Sequence, residues 1–130
     1  MIGCPGSGKT TLARDLFEAA GYWRVDGDQC KTVAAMLRVA GRRPGGAGQS
    51  VVFDSTGVTR LRRAGFVAWG RSNDLPVRFV WVATPLEVAL VRNRERPVPV
   101  PPVALYTYRS RFEEPDPVAE EATGGLVVIV

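Results

Sequence analysis

The chain has 130 residues, 45% of them hydrophobic and 23% charged, with a formal net charge of +4. That length suits one domain spanning 1–130, and no apolar run approaches the roughly 20 residues of a membrane span. Histidine is absent, which excludes imidazole bases, Ser-His-Asp triads and His-ligated metals and leaves carboxylates as the general bases.

The chain opens on Gly3-Cys4-Pro5-Gly6-Ser7-Gly8-Lys9-Thr10, an instance of G-x-x-x-x-G-K-[ST] followed by Thr11. Glycines at these places let backbone N–H groups turn inward around a polyphosphate. The lysine reaches the β- and γ-phosphates, and the Thr10 hydroxyl can ligate Mg²⁺. Only Lys9 and Lys31 among 17 basic residues are lysines. A lysine kept against an arginine-rich background suits a phosphate clamp, because a compact ammonium fits where a planar guanidinium does not. Only Met1 and Ile2 precede this loop, where a buried strand of about five residues is usual. The expectation is a truncated first strand, with the natural start upstream or the chain a fragment.

Leu12, Ala13, Leu16, Phe17 and Ala20 form a stripe at helical spacing, with Gly21 as the residue that ends the helix. Tyr22–Val25 reads as a strand and Gln29–Val39 as a second helix carrying Val33, Met36 and Leu37. Cys30 falls at the start of that helix. Two cysteines, Cys4 and Cys30, are too few for a disulfide framework and are expected as free thiols of a cytoplasmic protein. Arg42–Gln49 reads as a mobile loop, and Val51–Phe53 as a buried strand. Arg60–Ser72 reads as a helix with Leu61, Ala64, Ala68 and Trp69 inward. Val77–Val82 is a strand, Leu86–Glu95 a helix, and Leu126–Val130 a final strand. The Pro97–Pro102 stretch stops one helix, and Pro101 or Pro102 can open the next. Alternating helices and strands predict an α/β fold on a parallel sheet.

Ligands in such sheets bind beyond the carboxyl ends of the strands. Three segments lie there. Asp26-Gly27-Asp28 with Lys31 offers a carboxylate for a hydroxyl proton; either aspartate can equally cap the following helix. Asp54, after the next strand, can orient Mg²⁺, hold an acceptor or close an Asx turn. Arg60, Arg62 and Arg63 follow, read as a solvated face rather than acceptor contacts. Arg92 and Arg96, four residues apart, are placed on one helix face, suited either to a transferring phosphoryl group or to offsetting the helix dipole.

In order, the segments GCPGSGKTT, VDGDQCK, DSTGVTRLRR and RNRERPVPVP resemble the P-loop polynucleotide 5′-hydroxyl kinase family and the small bacterial AAA-family ATPases related to it. The resemblance runs from Gly3 to about Phe112. It implies a three-layer α/β/α P-loop NTPase fold with sheet order 2-3-1-4-5. It implies that Gly3 through Thr11 hold ATP·Mg²⁺, with Thr10 and Asp54 toward the metal. Asp28 would be the general base and Lys9 the phosphate clamp. Arg92 and Arg96 would be the lid arginines, with Lys31 and Asp54 on the acceptor side. Two positions depart from the family pattern: Lys31 replaces an arginine and Gly57 an asparagine. The function implied is transfer of the ATP γ-phosphoryl to a polynucleotide 5′-OH. A small-molecule kinase, for a sugar, nucleoside or nucleotide-sugar, and a nucleotide-binding module without transfer activity are the alternatives; no membrane partner is expected.

Overall fold

The computed structural model describes residues 1–130. Helix α1 (Lys9–Leu12) runs directly into a π-helical segment (Ala13–Glu18). Strand β1 (Trp23–Asp26), α2 (Gly27–Cys30) and α3 (Val33–Gly41) follow, then β2 (Val51–Asp54) and α4 (Arg60–Ser72). Strand β3 (Phe79–Val82), α5 (Leu86–Arg94), α6 (Pro102–Arg111) and β4 (Leu126–Ile129) complete the chain. No helix is long and apolar enough to cross a membrane.

Strands β1 and β2 pair in parallel, as do β3 and β4. Met1–Gly3 joins the two pairs. The Met1 ammonium donates to the Phe53 carbonyl at 2.8 Å. Ile2 N–H donates to Val80 and Val82 N–H donates back to Ile2, at 2.7 and 2.8 Å. Gly3 N–H reaches the Thr56 carbonyl at 3.1 Å. With this segment counted first, the order is 2-3-1-4-5, as the resemblance implies; the first strand is reduced to a single bridge, Ile2 to Trp81. Beside it a cavity of about 320 Å³, lined by Met1, Val52, Phe53, Phe66 and Val80 among others, separates the two halves.

Apolar alternation on the strands sets the layers. Val25 is fully buried with Met36, Ala40 and Phe66, so α3 and α4 cover one face of β1 and β2. The π-helical segment packs on the other face. Ile2, Val67 and Phe79 form a second cluster, and Cys4, Ala89 and Leu105 a third beneath the loop.

Several sequence expectations are corrected. The first helix changes to π winding after Leu12, and its wider turn rotates the stripe: Ala13 is buried while Leu16 and Ala20 are exposed. The second helix is split. Lys31 takes a left-handed φ of 66°, and the Thr32 hydroxyl accepts from Ala35 N–H at 3.1 Å to start α3. Cys30 therefore closes a short helix. On α4, Leu61, Ala64 and Ala68 face solvent, while Arg63, Phe66, Val67 and Gly70 face inward. The Arg42–Gln49 loop is tied down: buried Arg43 donates to the carbonyls of Ala40 and Ala47 and lies 5.1 Å from the Trp69 ring centre. Pro102 does open α6.

Arg63 is the physical reason α4 turns as it does. Its Nε and Nη2 clasp both carboxylate oxygens of Glu120 at 2.7 and 2.9 Å, and Nη1 donates to the Gly57 carbonyl at 2.6 Å. Both side chains are buried. Burial alone would raise the Glu120 pKa, but the hydrogen bonds from Arg63 and from Asp116 N–H outweigh it and hold the carboxyl below its ordinary value of 4.5. An acid depressed in the folded state stabilises the fold above its unfolded pKa and loses that effect as pH falls through the folded value. Glu120→Gln should therefore cost about 3 kcal/mol at neutral pH, since one buried partner is left unpaired. Urea denaturation stepped from pH 7 to pH 3 should show the difference from wild type shrinking at the acid end.

Candidate active site

The loop Gly3–Thr10 leaves the central segment and returns under the carboxyl ends of β2 and β3. Gly6 has a left-handed φ of 81°, and a Cβ built there would stand 2.6 Å from the Ala89 carbonyl oxygen. A side chain at this position meets both a backbone penalty and α5. Ser7 N–H donates to Cys4 at 3.1 Å, closing the turn. The Ser7 carbonyl accepts two bonds, from the Thr84 hydroxyl at 2.9 Å and from Arg92 Nη1 at 3.2 Å. In a trans peptide the carbonyl and the following N–H point opposite ways. Holding the Ser7 carbonyl outward thus turns the Gly8 N–H inward, as an anion cradle requires.

Lys9 opens α1, with Gly8 as its N-cap, and its Nζ donates to the Cys4 carbonyl at 3.4 Å. Burial lowers the Lys9 pKa; the charges of Asp54 and Asp28, then Cys4, oppose this, and Arg96 adds to it. Lys9 is therefore where the sequence candidates converge electrostatically. Burial also raises the Cys4 thiol pKa, so that thiol is a packed wall of the loop. Thr10 is half-buried in the first turn and Thr11 is exposed.

Asp26 resolves the capping ambiguity. Its Oδ1 accepts from Asp28 N–H at 2.9 Å and from Gln29 N–H at 3.4 Å, making it the N-cap of α2. Asp28, in the first turn, is exposed and not the cap. Lys31 is exposed at the left-handed C-cap. Asp54 ends β2 with its side chain 3% exposed and its Oδ2 paired to Arg24 Nη1 at 2.8 Å. Its Oδ1 is buried without a partner. That uncommitted oxygen is of a kind that accepts from a magnesium-bound water, and Thr10 stands in the first turn of α1.

Two expectations about arginines fail. Arg63 is buried and structural, not part of a solvated face. Arg62, half-buried, brings its Nε 3.5 Å from the Ser55 hydroxyl. Arg92 lies on α5, but α5 ends at Arg94 with Glu95 as its cap, so Arg96 lies past the helix and shares no face with Arg92. The helix stops there because Asn93 is used sideways. Its amide donates to the Val100 carbonyl at 2.8 Å and accepts from Val100 N–H at 3.1 Å, folding the proline stretch back. Gly57 has a φ of 57°, and a Cβ would come 2.9 Å from the Ile2 side chain, so a side chain there would require Ile2 to shift.

Sequence reasoning passed over Thr84 and Arg24. Arg24 had a usable signal: in Trp23-Arg24-Val25-Asp26 the alternation puts Arg24 and Asp26 on one face, opposite buried Val25. Thr84 had none beyond following a strand.

The fold and loop define a P-loop nucleotide-binding protein of kinase-like architecture. A family model described as AAA domain matches residues 31–115, more than half of the chain, and the chain belongs to that family. It is 29% identical over 120 residues to the bifunctional polynucleotide phosphatase/kinase of Schizosaccharomyces pombe. It is 31% identical over 123 residues to the putative bifunctional polynucleotide phosphatase/kinase of Acanthamoeba polyphaga mimivirus. Each match covers 88% of this chain but 29% of the relative, so the chain spans less than a third of their length. Among solved structures, Kti12 of Chaetomium thermophilum in complex with ADP-AlF3 superposes with a TM-score of 0.75 at 22% identity, covering 98% of this chain and 86% of that one. A gluconokinase from Sinorhizobium meliloti 1021 gives 0.65 at 22% identity, covering 99% and 80%.

Gly6→Ala should lower the melting temperature, because left-handed backbone alone costs about 1–3 kcal/mol for a side chain. It should also weaken nucleotide binding by displacing the loop from α5; thermal melts with and without nucleotide check both.

Proposed function

We propose that this domain transfers the γ-phosphoryl group of ATP to a hydroxyl, with a polynucleotide 5′-OH as the favoured acceptor. The observation that carries the reading is the phosphate loop with Lys9 at the start of its helix, beside adjacent parallel strands that end on Asp54 and, two residues before Asp28, on Asp26. The polynucleotide phosphatase/kinase relatives favour the acceptor, and the net charge of +4 is compatible with a polyanion.

In this reading the loop amides and Lys9 hold the β- and γ-phosphates. Asp28, exposed and free of capping duty, accepts the proton of the attacking hydroxyl. The hydroxyl oxygen bonds to the γ-phosphorus as the bond to the β-phosphate oxygen breaks, leaving ADP. Arg92, already at the loop rim on the Ser7 carbonyl, and Arg96 move onto the transferring group, where such an arginine contributes about 10³–10⁵ in rate. Thr10 and Asp54 would hold Mg²⁺, which when bound neutralises charge on the β- and γ-oxygens. Lys31, exposed past α2, faces the acceptor side, whereas Asp54 is buried and paired to Arg24 and is not presented to an acceptor. Lys31 is a point charge and not a fork, so it favours a single phosphate contact over bidentate recognition.

Asp28→Ala should cut turnover by about 10²–10⁴ while leaving ATP affinity within a few fold, as loss of a general base requires. Lys9→Ala should damage both. Radiolabel transfer from γ-labelled ATP, with ATP titration in parallel, separates them. Unchanged turnover for Asp28→Ala removes it as the base. Offering a mixed pool of 5′-OH oligonucleotides and small metabolites identifies the acceptor. Label in a sugar or nucleoside alone would point to a small-molecule kinase, and ATP binding without label in any species to a module without transfer activity. Oligonucleotide affinity should fall steeply between low and physiological salt, as counterion release demands of a polyanion and not of a neutral metabolite.

A further inference from the structure

Arg24 has no part in the transfer chemistry above, yet it sits at a junction of carboxylates. Its place on β1 puts it on the face away from the α3–α4 core. There Nη1 donates to Asp54 Oδ2 at 2.8 Å, Nη2 lies 3.5 Å from Asp26 Oδ2, and Nε lies 3.6 Å from Glu18 Oε2. Arg24 is itself largely buried, and Asp54 more so.

Two features of this cluster exceed what packing needs. A buried carboxylate ordinarily has both oxygens satisfied, whereas Asp54 has Oδ2 held and Oδ1 bare. The same guanidinium also touches Asp26, the cap that sets the turn carrying Asp28. One rigid fork therefore links the carboxylate at the end of β2 to the turn at the end of β1. A planar guanidinium is suited to this, since its donors keep fixed angles to each other.

We infer that Arg24 is a positioning residue for magnesium-nucleotide binding. It locks Asp54 through Oδ2, so that Oδ1 is the one oxygen left for the water shell of a magnesium ion carried by nucleotide on the loop. This rests on the nucleotide-binding reading above. Arg24 touches neither nucleotide nor metal; it acts through the orientation of Asp54.

The test uses the full chain and a fluorescent methylanthraniloyl-ATP, titrated in EDTA and at increasing MgCl₂. Wild type should bind more tightly with magnesium. Arg24→Gln should match wild type within about twofold in EDTA and lose at least about tenfold of the magnesium enhancement, the scale on which supporting contacts affect metal sites. Asp54→Asn should lose the same enhancement, and the double variant should be no worse than Asp54→Asn, because the two act as one unit. Arg24→Lys, which keeps the charge without the fork, should fall between, and it carries the test should Arg24→Gln not fold. Equal weakening with and without magnesium would show a purely structural role and overturn the inference. So would an unchanged magnesium response in Arg24→Gln, wild-type behaviour in Arg24→Lys if that alone folds, or additive losses in the double variant. A wild type that binds no nucleotide, with or without magnesium, overturns the reading of the loop itself, and is told apart because it precedes any comparison of variants.

Discussion

The hydrogen bonds that Ile2 exchanges with Val80 and Val82 hold the molecule's plan together. With the Met1–Phe53 and Gly3–Thr56 bonds they join a β1–β2 pair to a β3–β4 pair that share no ladder. They also set where the phosphate loop begins, because Gly3 follows directly and anchors on Thr56. Everything the site needs from the two halves meets through this short segment. Asp28 and Asp54 come from one side, Thr84 and the α5 arginine from the other. At the left-handed turn of Gly57 a Cβ would come 2.9 Å from the Ile2 side chain, so a larger residue there requires this segment to shift.

Around that seam the site is organised by fixed carbonyls and paired charges. Thr84 and Arg92 both bind the outward Ser7 carbonyl, which turns the following amide inward. The carboxylates are sorted by partner. Asp26 caps a helix, Asp54 is held by arginine through one oxygen, and Asp28 is exposed. The three aspartates thus have three distinct environments. Farther from the loop, the Arg63–Glu120 pair ties α4 and the Gly57 turn to the segment before β4.

The sequence alone determined the phosphate loop, the α/β alternation and the strand-end position of Asp28 and Asp54. Glycine spacing, apolar periodicity and helix-opening prolines act over a few residues and can be read locally. Tertiary structure decided which aspartate caps, which face α4 buries, where the first helix changes winding and that Arg96 lies beyond α5. The Asp26 cap and the Asn93–Val100 clasp span only a few residues but depend on where side chains point, which the sequence does not show, and the inward face of α4 depends on Arg63 meeting Glu120, 57 residues away. An arginine that will be buried against a distant glutamate looks, in sequence, like one that will meet water. Only the folded chain brings the partner that makes its burial favourable.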